Sequence, residues 1–344
     1  MASRSQFPAA IAAARLAQTT GHLTGSSSGS NLIRGNAHMA STDASLSSAG
    51  APKMEFREIK NITCFGAGLM GAGIVQVTLC DITPQALENG LKIIRTSLGR
   101  IAKKAHPDSP EQQKSFVEGV VSTITTTTDA QEAVKQADLV VEAIVENLEV
   151  KRKLFSSLDI HASAHCIFAT NTSSLSVTEI ADSTSEGRRA AFGGLHFFNP
   201  VPQMKLVEVI RTSTTSDATN AALLDVCKRM QKTSVSCKDT PGQVYNFIVN
   251  RLLVPYMLEA VRMLERGDAS AEDIDTAMKL GAGYPMGPIQ LTDFVGLDTC
   301  QHIMTGWREK GALSPELVQP IKALEEKVKE GKLGRKTGEG FFKY

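Results

Sequence analysis

Short apolar runs alternate with longer amphipathic stretches between residues 59 and 237. Runs of apolar and β-branched residues predict strands over residues 62–65, 78–81, 124–127, 139–144, 167–170, 192–197, 206–210 and 234–237. Apolar positions three and four apart predict helices over residues 69–77, 84–104, 130–137, 148–160 and 217–230. This alternation predicts a largely parallel sheet that is covered by helices on both faces.

The pattern changes at the turn Asp239-Thr-Pro-Gly242. Beyond it only helical periodicity remains, which predicts helices over residues 247–266, 271–280, 291–307 and 316–330. A sheet followed by a helical unit creates a crevice at the carboxyl edge of the sheet, where α/β proteins usually bind ligands.

A glycine motif, Gly66-x-Gly68-x-x-Gly71, follows the first predicted strand and opens the first predicted helix. In a dinucleotide site the first glycine permits a tight turn, the second lets backbone N–H groups approach the pyrophosphate, and the third lets the helix pack closely. The helix N-terminus then stabilises the anion. We therefore predict a dinucleotide-binding Rossmann-type α/β domain over residues 54–241 and an all-helical C-terminal domain over residues 242–344.

The acid that should bind the ribose comes early. A dinucleotide fingerprint expects it about 20 residues after the first glycine, whereas Asp81 lies 15 residues after Gly66. The connection before it is shorter than the about 10–12 residues of a complete crossover. We expect either a helix that unwinds early or a second strand that is short and displaced, and both outcomes weaken the reach of Asp81 to the ribose.

Composition narrows the possible partners. A net charge of +1, from 37 basic and 36 acidic residues, argues against a nucleic-acid partner. The longest apolar stretches fall short of the about 20 residues that a membrane span needs. The six cysteines form no CxxC pair and no cluster with histidines, so we expect no metal site and no disulfide framework.

Residues 1–53 differ from the rest of the chain. They contain Arg4, Arg15 and Arg34 but no acid before Asp43, and Ser, Ala, Thr and Gly fill much of the remainder. This composition is typical of a mitochondrial transit peptide, and we predict one here with a disordered linker. A disordered tail without a targeting function is the alternative.

His196 is the best-placed candidate for a catalytic base. It ends an apolar run and precedes the turn Phe197-Phe-Asn-Pro200. Under strand alternation Glu208 lies on the same face as its apolar neighbours, and a carboxylate beside a histidine orients the ring and favours its protonated form. Spacing alone nevertheless favours a strand-end histidine that the backbone satisfies.

Eight motifs carry a more specific resemblance and follow one another along the chain: Gly68-Leu-Met-Gly-Ala-Gly73, Asp138-Leu-Val-Val-Glu-Ala-Ile-Val-Glu-Asn147, Thr170-Asn-Thr-Ser-Ser-Leu175, Leu195-His-Phe-Phe-Asn-Pro-Val-Pro202, Lys205-Leu-Val-Glu-Val-Ile210, Phe247-Ile-Val-Asn-Arg-Leu-Leu-Val-Pro-Tyr256, Gly267-Asp-Ala-Ser270 and Lys336-Thr-Gly-Glu-Gly340. With them, residues 59–344 resemble the short-chain L-3-hydroxyacyl-CoA dehydrogenases of mitochondrial fatty-acid β-oxidation. The resemblance implies a homodimer in the mitochondrial matrix that oxidises an L-3-hydroxyacyl-CoA to a 3-oxoacyl-CoA and reduces NAD. It also implies that residues 54–241 bind NAD and that the helical domain closes over the substrate and forms the dimer.

The same resemblance implies a role for individual residues. His196 is the general base, Glu208 orients it, and Ser173 and Asn250 hydrogen-bond the substrate oxygen. Residues implied in NAD binding are Gly66, Gly68, Leu69, Met70, Gly71, Asp81, Glu146, Lys151, Ser173, Asn199 and Lys336; those implied in coenzyme A binding are Ser97, Lys104 and Ser173. The alternatives are structural: Ser173 as a turn former, Asn250 as an exposed helix residue and Lys104 as half of a solvated pair.

The chain departs from the family pattern in two places. Roughly eight residues are missing near positions 77–78, in the first crossover. About four residues are added at 243–246, which either extend the following helix by one turn or loop out. We interpret both as splice-boundary changes or gene-model errors rather than adaptations. They leave two alternatives to an active enzyme of this family: a folded but poorly active member, or a related dehydrogenase of another hydroxy acid.

Overall fold

One eight-stranded sheet organises the first part of the chain. In the computed structural model, which describes residues 58–66, 76–239, 247–309, 311 and 313–344, the strand order is β3-β2-β1-β4-β5-β6-β7-β8. All neighbours are parallel except β6 and β7. The predicted Rossmann-type, largely parallel sheet is therefore confirmed. The strands are β1 (Asn61–Phe65), β2 (Gln76–Cys80), β3 (Ile124–Thr127), β4 (Leu139–Glu142), β5 (Ile167–Thr170), β6 (Phe192–Phe197), β7 (Leu206–Arg211) and β8 (Thr233–Lys238).

Helices lie on both faces of this sheet, and the named elements that follow β8 are all helical, as predicted. In the described residues they are α1 (Pro84–Ala105), α2 (Pro110–Val121), α3 (Ala130–Val134), α4 (Leu148–His161), α5 (Val177–Ala181), α6 (Glu186–Arg189), α7 (Asp217–Arg229), α8 (Ile248–Arg266), α9 (Ala271–Gly281), α10 (Pro288–Val295), α11 (Leu297–Glu309) and α12 (Lys322–Lys329). Short 3-10 turns occur at Pro315–Leu317 and Arg335–Thr337.

The helix starts are encoded locally. Thr83 accepts a hydrogen bond from the backbone N–H of Ala86 at 3.1 Å, and Pro84 occupies the first helical position of α1. Both features satisfy or remove donors that a helix N-terminus leaves unpaired. Side-chain caps of the same kind begin six other helices, at Ser109, Asp129, Asn147, Ser176, Ser216 and Ser270.

Alternation along β1 assigns its side chains to two cores. Ile62 and Cys64 pack with the α1 and α7 side of the sheet. Phe65 packs with Phe155 and Phe168 on the α4 side. Because both faces are buried, the strand reads as a nearly continuous apolar run.

A third core belongs to the helices that follow β8. It includes Leu258 of α8, Ile289 of α10, Leu297 and Trp307 of α11, and Leu324 of α12. The helical C-terminal domain that the periodicity predicted is therefore present.

Three predicted elements were wrong in their bounds. The helix predicted over residues 291–307 is interrupted at Gly296, whose φ is +103°, and the one over residues 316–330 is a 3-10 turn followed by α12. Val77, predicted to end a helix, lies in β2. Helix α2 was not predicted, although Phe116, Val117 and Val120 form a short apolar stripe that packs, partly buried, against the core that contains Ile62.

The second strand is neither short nor displaced. All five residues of β2 pair with β1, from Asn61 opposite Gln76 to Phe65 opposite Cys80. That part of the expectation from the short connection is wrong. Residues 67–75, which make the connection, lie outside the described residues, as do residues 240–246 with the predicted insert.

Candidate active site

Gly66 lies at the carboxyl end of β1, between β2 and β4, where the strand order of the sheet reverses. Its φ is +97°, which glycine adopts without a Cβ penalty. A Cβ atom here would lie 2.6 Å from the carbonyl oxygen of Ala143, just after β4. The backbones therefore approach each other in the crevice where such sheets bind dinucleotides. The other predicted residues of this turn, Gly68, Leu69, Met70 and Gly71, lie outside the described residues.

Asp81 lies at the same edge as Gly66. The Gly66 N–H donates to the carbonyl of Cys80 at 2.9 Å, and the Asp81 N–H donates to Thr127 of β3 at 3.4 Å. One carboxylate oxygen of Asp81 accepts the N–H of Ile82 at 2.7 Å. The short spacing between the glycine and the acid has thus not removed Asp81 from the end of β2.

His196 and Glu208 face each other across the antiparallel pair β6 and β7. His196 Nδ1 lies 2.7 Å from Glu208 Oε2, and the two residues are only 3% and 0% exposed. A carboxylate can only accept a hydrogen bond, so Nδ1 carries the proton in this pair and the neutral ring has its lone pair on Nε2. The geometry fixes one tautomer of the histidine.

The second oxygen of Glu208 binds the helical domain. Oε1 accepts the N–H groups of Ile248 and Val249, at 2.9 and 2.8 Å, in the first turn of α8. These donors have no partner within the helix. The ring of Phe247, which sequence reasoning gave no role, packs 5.4 Å from the His196 ring. Glu208 therefore satisfies the histidine and the start of the second domain together.

Ser173 completes the histidine's contacts, since its Oγ lies 3.1 Å from His196 Nε2. It belongs to the loop after β5, where Asn171 Oδ1 accepts the N–H of Phe197 at 2.9 Å. The structure thus brings Ser173, His196 and Glu208 into one chain of hydrogen bonds.

Glu146 and Lys151 lie beside this loop. Glu146 Oε1 accepts the Ser173 N–H at 2.8 Å and the Thr172 hydroxyl at 2.6 Å. Lys151 Nζ lies 3.2 Å from Glu146 Oε2 and 2.5 Å from Oε1 of Glu142. Burial raises the pKa of Glu146, but Lys151 and the Thr172 and Ser173 donors outweigh it and hold that pKa below its ordinary value.

Sequence reasoning missed Glu142, which is fully buried at the end of β4. An acid that closes an otherwise apolar strand is unusual, and this is the signal that could have identified it. No spacing rule relates it to Lys151, because the two residues lie on different elements.

The remaining predicted residues are more dispersed. Asn250 lies one residue beyond the Glu208 contacts in α8, and Asn199 is exposed after β6. Ser97 is buried and Lys104 exposed, seven residues apart on one side of α1. Lys336 Nζ lies 2.5 Å from Asp298 within the helical domain. Among the described residues, none of these five hydrogen-bonds His196, Glu208 or Ser173.

Two kinds of feature are absent from the part of the chain that the structure describes. No group of three or more His, Cys, Asp and Glu side chains there is arranged to hold a metal ion. No helix in these ranges is long and apolar enough to cross a membrane.

A buried histidine whose Nε2 carries a lone pair and faces the Ser173 hydroxyl, at the carboxyl edge of a dinucleotide-binding sheet, suits the removal of a hydroxyl proton as hydride leaves the same carbon. Fold and site together define an NAD-dependent dehydrogenase. Two family models match the chain: 3-hydroxyacyl-CoA dehydrogenase, NAD binding domain, over residues 61–240, and 3-hydroxyacyl-CoA dehydrogenase, C-terminal domain, over residues 247–344. The chain belongs to the 3-hydroxyacyl-CoA dehydrogenase family and is an oxidoreductase that uses NAD.

Similar proteins agree with this assignment. The mitochondrial hydroxyacyl-coenzyme A dehydrogenase of Rattus norvegicus is 55% identical over 83% of this chain and 91% of its own length. The human enzyme of the same name is 54% identical over 88% of this chain and 96% of its own length. The crystal structure of (S)-3-hydroxybutyryl-CoA dehydrogenase from Ralstonia eutropha is 38% identical, with a TM-score of 0.74 over 83% of this chain and 99% of that one.

Proposed function

We propose that this enzyme oxidises L-3-hydroxyacyl-CoA to 3-oxoacyl-CoA, with His196 as the general base and Glu208 as its orienting partner. The observation that carries the proposal is the buried pair of His196 Nδ1 and Glu208 Oε2, 2.7 Å apart. It leaves Nε2 as the atom that accepts the proton of the substrate 3-hydroxyl. In the reverse direction the same nitrogen returns a proton to the 3-oxo oxygen.

Ser173 and Asn250 are proposed to hold that oxygen beside Nε2. The Ser173 hydroxyl lies 3.1 Å from Nε2, close enough for one substrate oxygen to contact both atoms. Asn250 follows directly on the two N–H groups that Glu208 accepts, so its position depends on the same carboxylate. Orienting donors of this kind favour the alkoxide character that develops during oxidation.

The residues at the carboxyl edge fit the dinucleotide. A Cβ atom at Gly66 would clash with the Ala143 carbonyl, so glycine lets the chain turn closely against the end of β4, where the pyrophosphate would bind. Asp81 stands at the end of β2 with a carboxylate for the ribose hydroxyls. Its negative charge would repel a 2′-phosphate, which favours NAD over NADP. When bound, NAD supplies the hydride acceptor. We assign Glu146, Lys151, Asn199 and Lys336 to NAD binding, and Ser97, Lys104 and Ser173 to coenzyme A binding.

The test uses purified protein, acetoacetyl-CoA and NADH. We expect NADH to be consumed, and His196→Ala to abolish the reaction while NADH still binds. His302→Ala is the matched control, because His302 is exposed on α11 and has no proposed role. If the wild-type protein neither consumes NADH nor binds it, the poorly active alternative is correct. Turnover only with a hydroxy acid that lacks coenzyme A would identify a related dehydrogenase.

We further propose that the enzyme is a homodimer in the mitochondrial matrix. The two mammalian relatives are mitochondrial by name, and the acid-poor residues 1–53 suit a transit peptide. Leu280, Tyr284 and Phe294 leave 83%, 41% and 55% of their surfaces exposed on the helical domain, which suits a partner surface. Light scattering of the wild type and of Phe294→Glu tests the homodimer. Import of the full chain into isolated mitochondria tests the localisation.

A further inference from the structure

A buried ion pair lies beneath the loop that carries Ser173. Glu142, at the end of β4, and Lys151, in α4, are 0% and 1% exposed, and Lys151 Nζ lies 2.5 Å from Glu142 Oε1. Charges removed from water in this way are tolerated only when further hydrogen bonds satisfy the remaining lone pairs. The other partners of Glu142 therefore indicate what the pair holds in place.

Those partners are two backbone segments at the carboxyl edge. Glu142 Oε1 accepts the N–H of Ile144 at 2.7 Å, and Oε2 accepts the hydroxyl of Thr170 at 2.6 Å. The backbone carbonyl of Glu142 accepts the N–H of Asn171 at 2.7 Å. Glu142 thus fixes the segment after its own strand and the point where β5 becomes the Ser173 loop.

Lys151 extends the network to the loop itself. Its second partner, Glu146 Oε2 at 3.2 Å, belongs to the carboxylate whose other oxygen binds the N–H groups of Ser173 and Ser174 at 2.8 and 3.0 Å. Because Lys151 and the loop donors lower the pKa of Glu146 against the effect of its burial, this carboxylate stays ionised and its bonds to the loop are charge-assisted. The contacts run without a gap from Glu142 to Ser173.

We propose that Glu142 is a positioning residue, which acts with Lys151 to set the distance between Ser173 Oγ and His196 Nε2. The inference rests on the proposed function, in which that pair receives the substrate oxygen. A pair that contributed only stability would serve equally well anywhere in the core. This one joins the ends of β4 and β5, at the carboxyl edge of the sheet, to the residue that touches the base.

The kinetic test is a double-mutant cycle in the full chain with Glu142→Gln and Ser173→Ala. Gln keeps the size of the side chain but loses the charge that holds Lys151. We expect Glu142→Gln to lower kcat about 10- to 100-fold, the range that a misplaced group of the site produces. In a Ser173→Ala background the same substitution should change kcat by less than about threefold, since coupled residues are not additive. If the fold-changes in kcat of the two single substitutions simply multiply in the double variant, the proposal is overturned.

The matched control is Glu149→Gln. Glu149 lies in α4 near Lys151, its exposed carboxylate pairs with Arg152, and the substitution should leave kcat unchanged. If Glu142→Gln does not fold, Thr170→Val removes only the hydroxyl bonded to Oε2 and should lower kcat in the same direction. Crystal structures give a readout independent of turnover: the distance from Ser173 Oγ to His196 Nε2, 3.1 Å here, should exceed hydrogen-bonding range in the variant. An unchanged distance contradicts the inference, whereas a wild type without turnover contradicts only the proposed function.

Discussion

The Glu208 carboxylate binds the His196 ring through one oxygen and the first turn of α8 through the other. The sheet domain thus contributes the histidine and its acid, and the helical domain contributes two N–H donors to the same carboxylate. A change at Glu208 should therefore affect turnover and the attachment of the helical domain together.

Glu208→Gln tests this coupling. The amide keeps the shape but removes the charge that holds Nδ1–H, so we expect kcat to fall about 10²- to 10⁴-fold, the usual contribution of a positioned base. Loss of a charged acceptor for the α8 donors should also lower the free energy of unfolding by about 1.5–3 kcal/mol. Glu111→Gln, on the exposed side of α2, is the control for both measurements. Unchanged kcat would contradict the assigned role.

Gly66→Ala should impair NADH binding and stability. A Cβ atom would meet the Ala143 carbonyl at 2.6 Å in a backbone with φ of +97°, so both the conformation and the packing oppose it. We expect at least a tenfold weaker Kd for NADH by fluorescence titration, and a lower Tm.

The control for this substitution is Gly119→Ala. Gly119 lies inside α2 and a Cβ atom there meets nothing within 4 Å. Alanine at such a helical position should raise stability by about 1 kcal/mol and leave NADH binding alone. Equal effects of the two alanines would contradict the close approach at Gly66.

The kinds of elements could be predicted because apolar periodicity reports burial. Each predicted strand overlaps an observed one, and Glu208 among apolar neighbours identified a buried acid correctly. The strand pattern also placed His196 and Glu208 on separate strands. It could not show that the strands are adjacent and antiparallel, because pairing depends on the order of the whole sheet.

Two kinds of feature could not be predicted from the sequence pattern: backbone conformations at single residues, and contacts between a strand and a helix. The apolar period continues through Gly296, so the break there depends on a φ of +103° that the pattern does not encode. The buried pair of Glu142 and Lys151 joins a strand to a helix nine residues on, where no single period applies. The shared carboxylate of Glu208 at the start of α8 was missed for the same reason.

Lowering the pH should weaken the ion pair between Asp159 Oδ1 and Arg188 Nε, which lie 2.8 Å apart. Burial raises the pKa of Asp159, but Arg188 and the Ser185 N–H outweigh it and lower that pKa below the ordinary value of 3.8. A depressed carboxyl pKa gives stability that is complete above the unfolded value and is lost as the pH falls through the folded one. Because Asp159 is partly exposed, Asp159→Asn should lower the free energy of unfolding at pH 7 by only about 1–2 kcal/mol.

The measurement is urea unfolding of wild type and Asp159→Asn between pH 7 and pH 2. The difference should be constant down to about the unfolded pKa and should shrink below it, because both chains then carry a neutral side chain. Asp108→Asn, an exposed position before α2, should show no such convergence. A gap that persists at the lowest pH at which the protein folds would contradict the electrostatic account.

The loop that carries Lys336 offers a comparison between two glycines of positive φ. Gly334 has φ of +94° and ψ of −152°, and a Cβ atom there would lie 2.2 Å from the Asp293 carbonyl oxygen. Gly338 has φ of +81° but open space around it. Gly338→Ala should cost only about 1–2 kcal/mol of left-handed strain. Gly334→Ala adds a backbone clash, so it should destabilise the protein more and displace Lys336.

If Lys336 binds NAD as proposed, Gly334→Ala should weaken NADH binding several-fold more than Gly338→Ala in parallel titrations. Equal affinities in two folded variants would remove Lys336 from the NAD site.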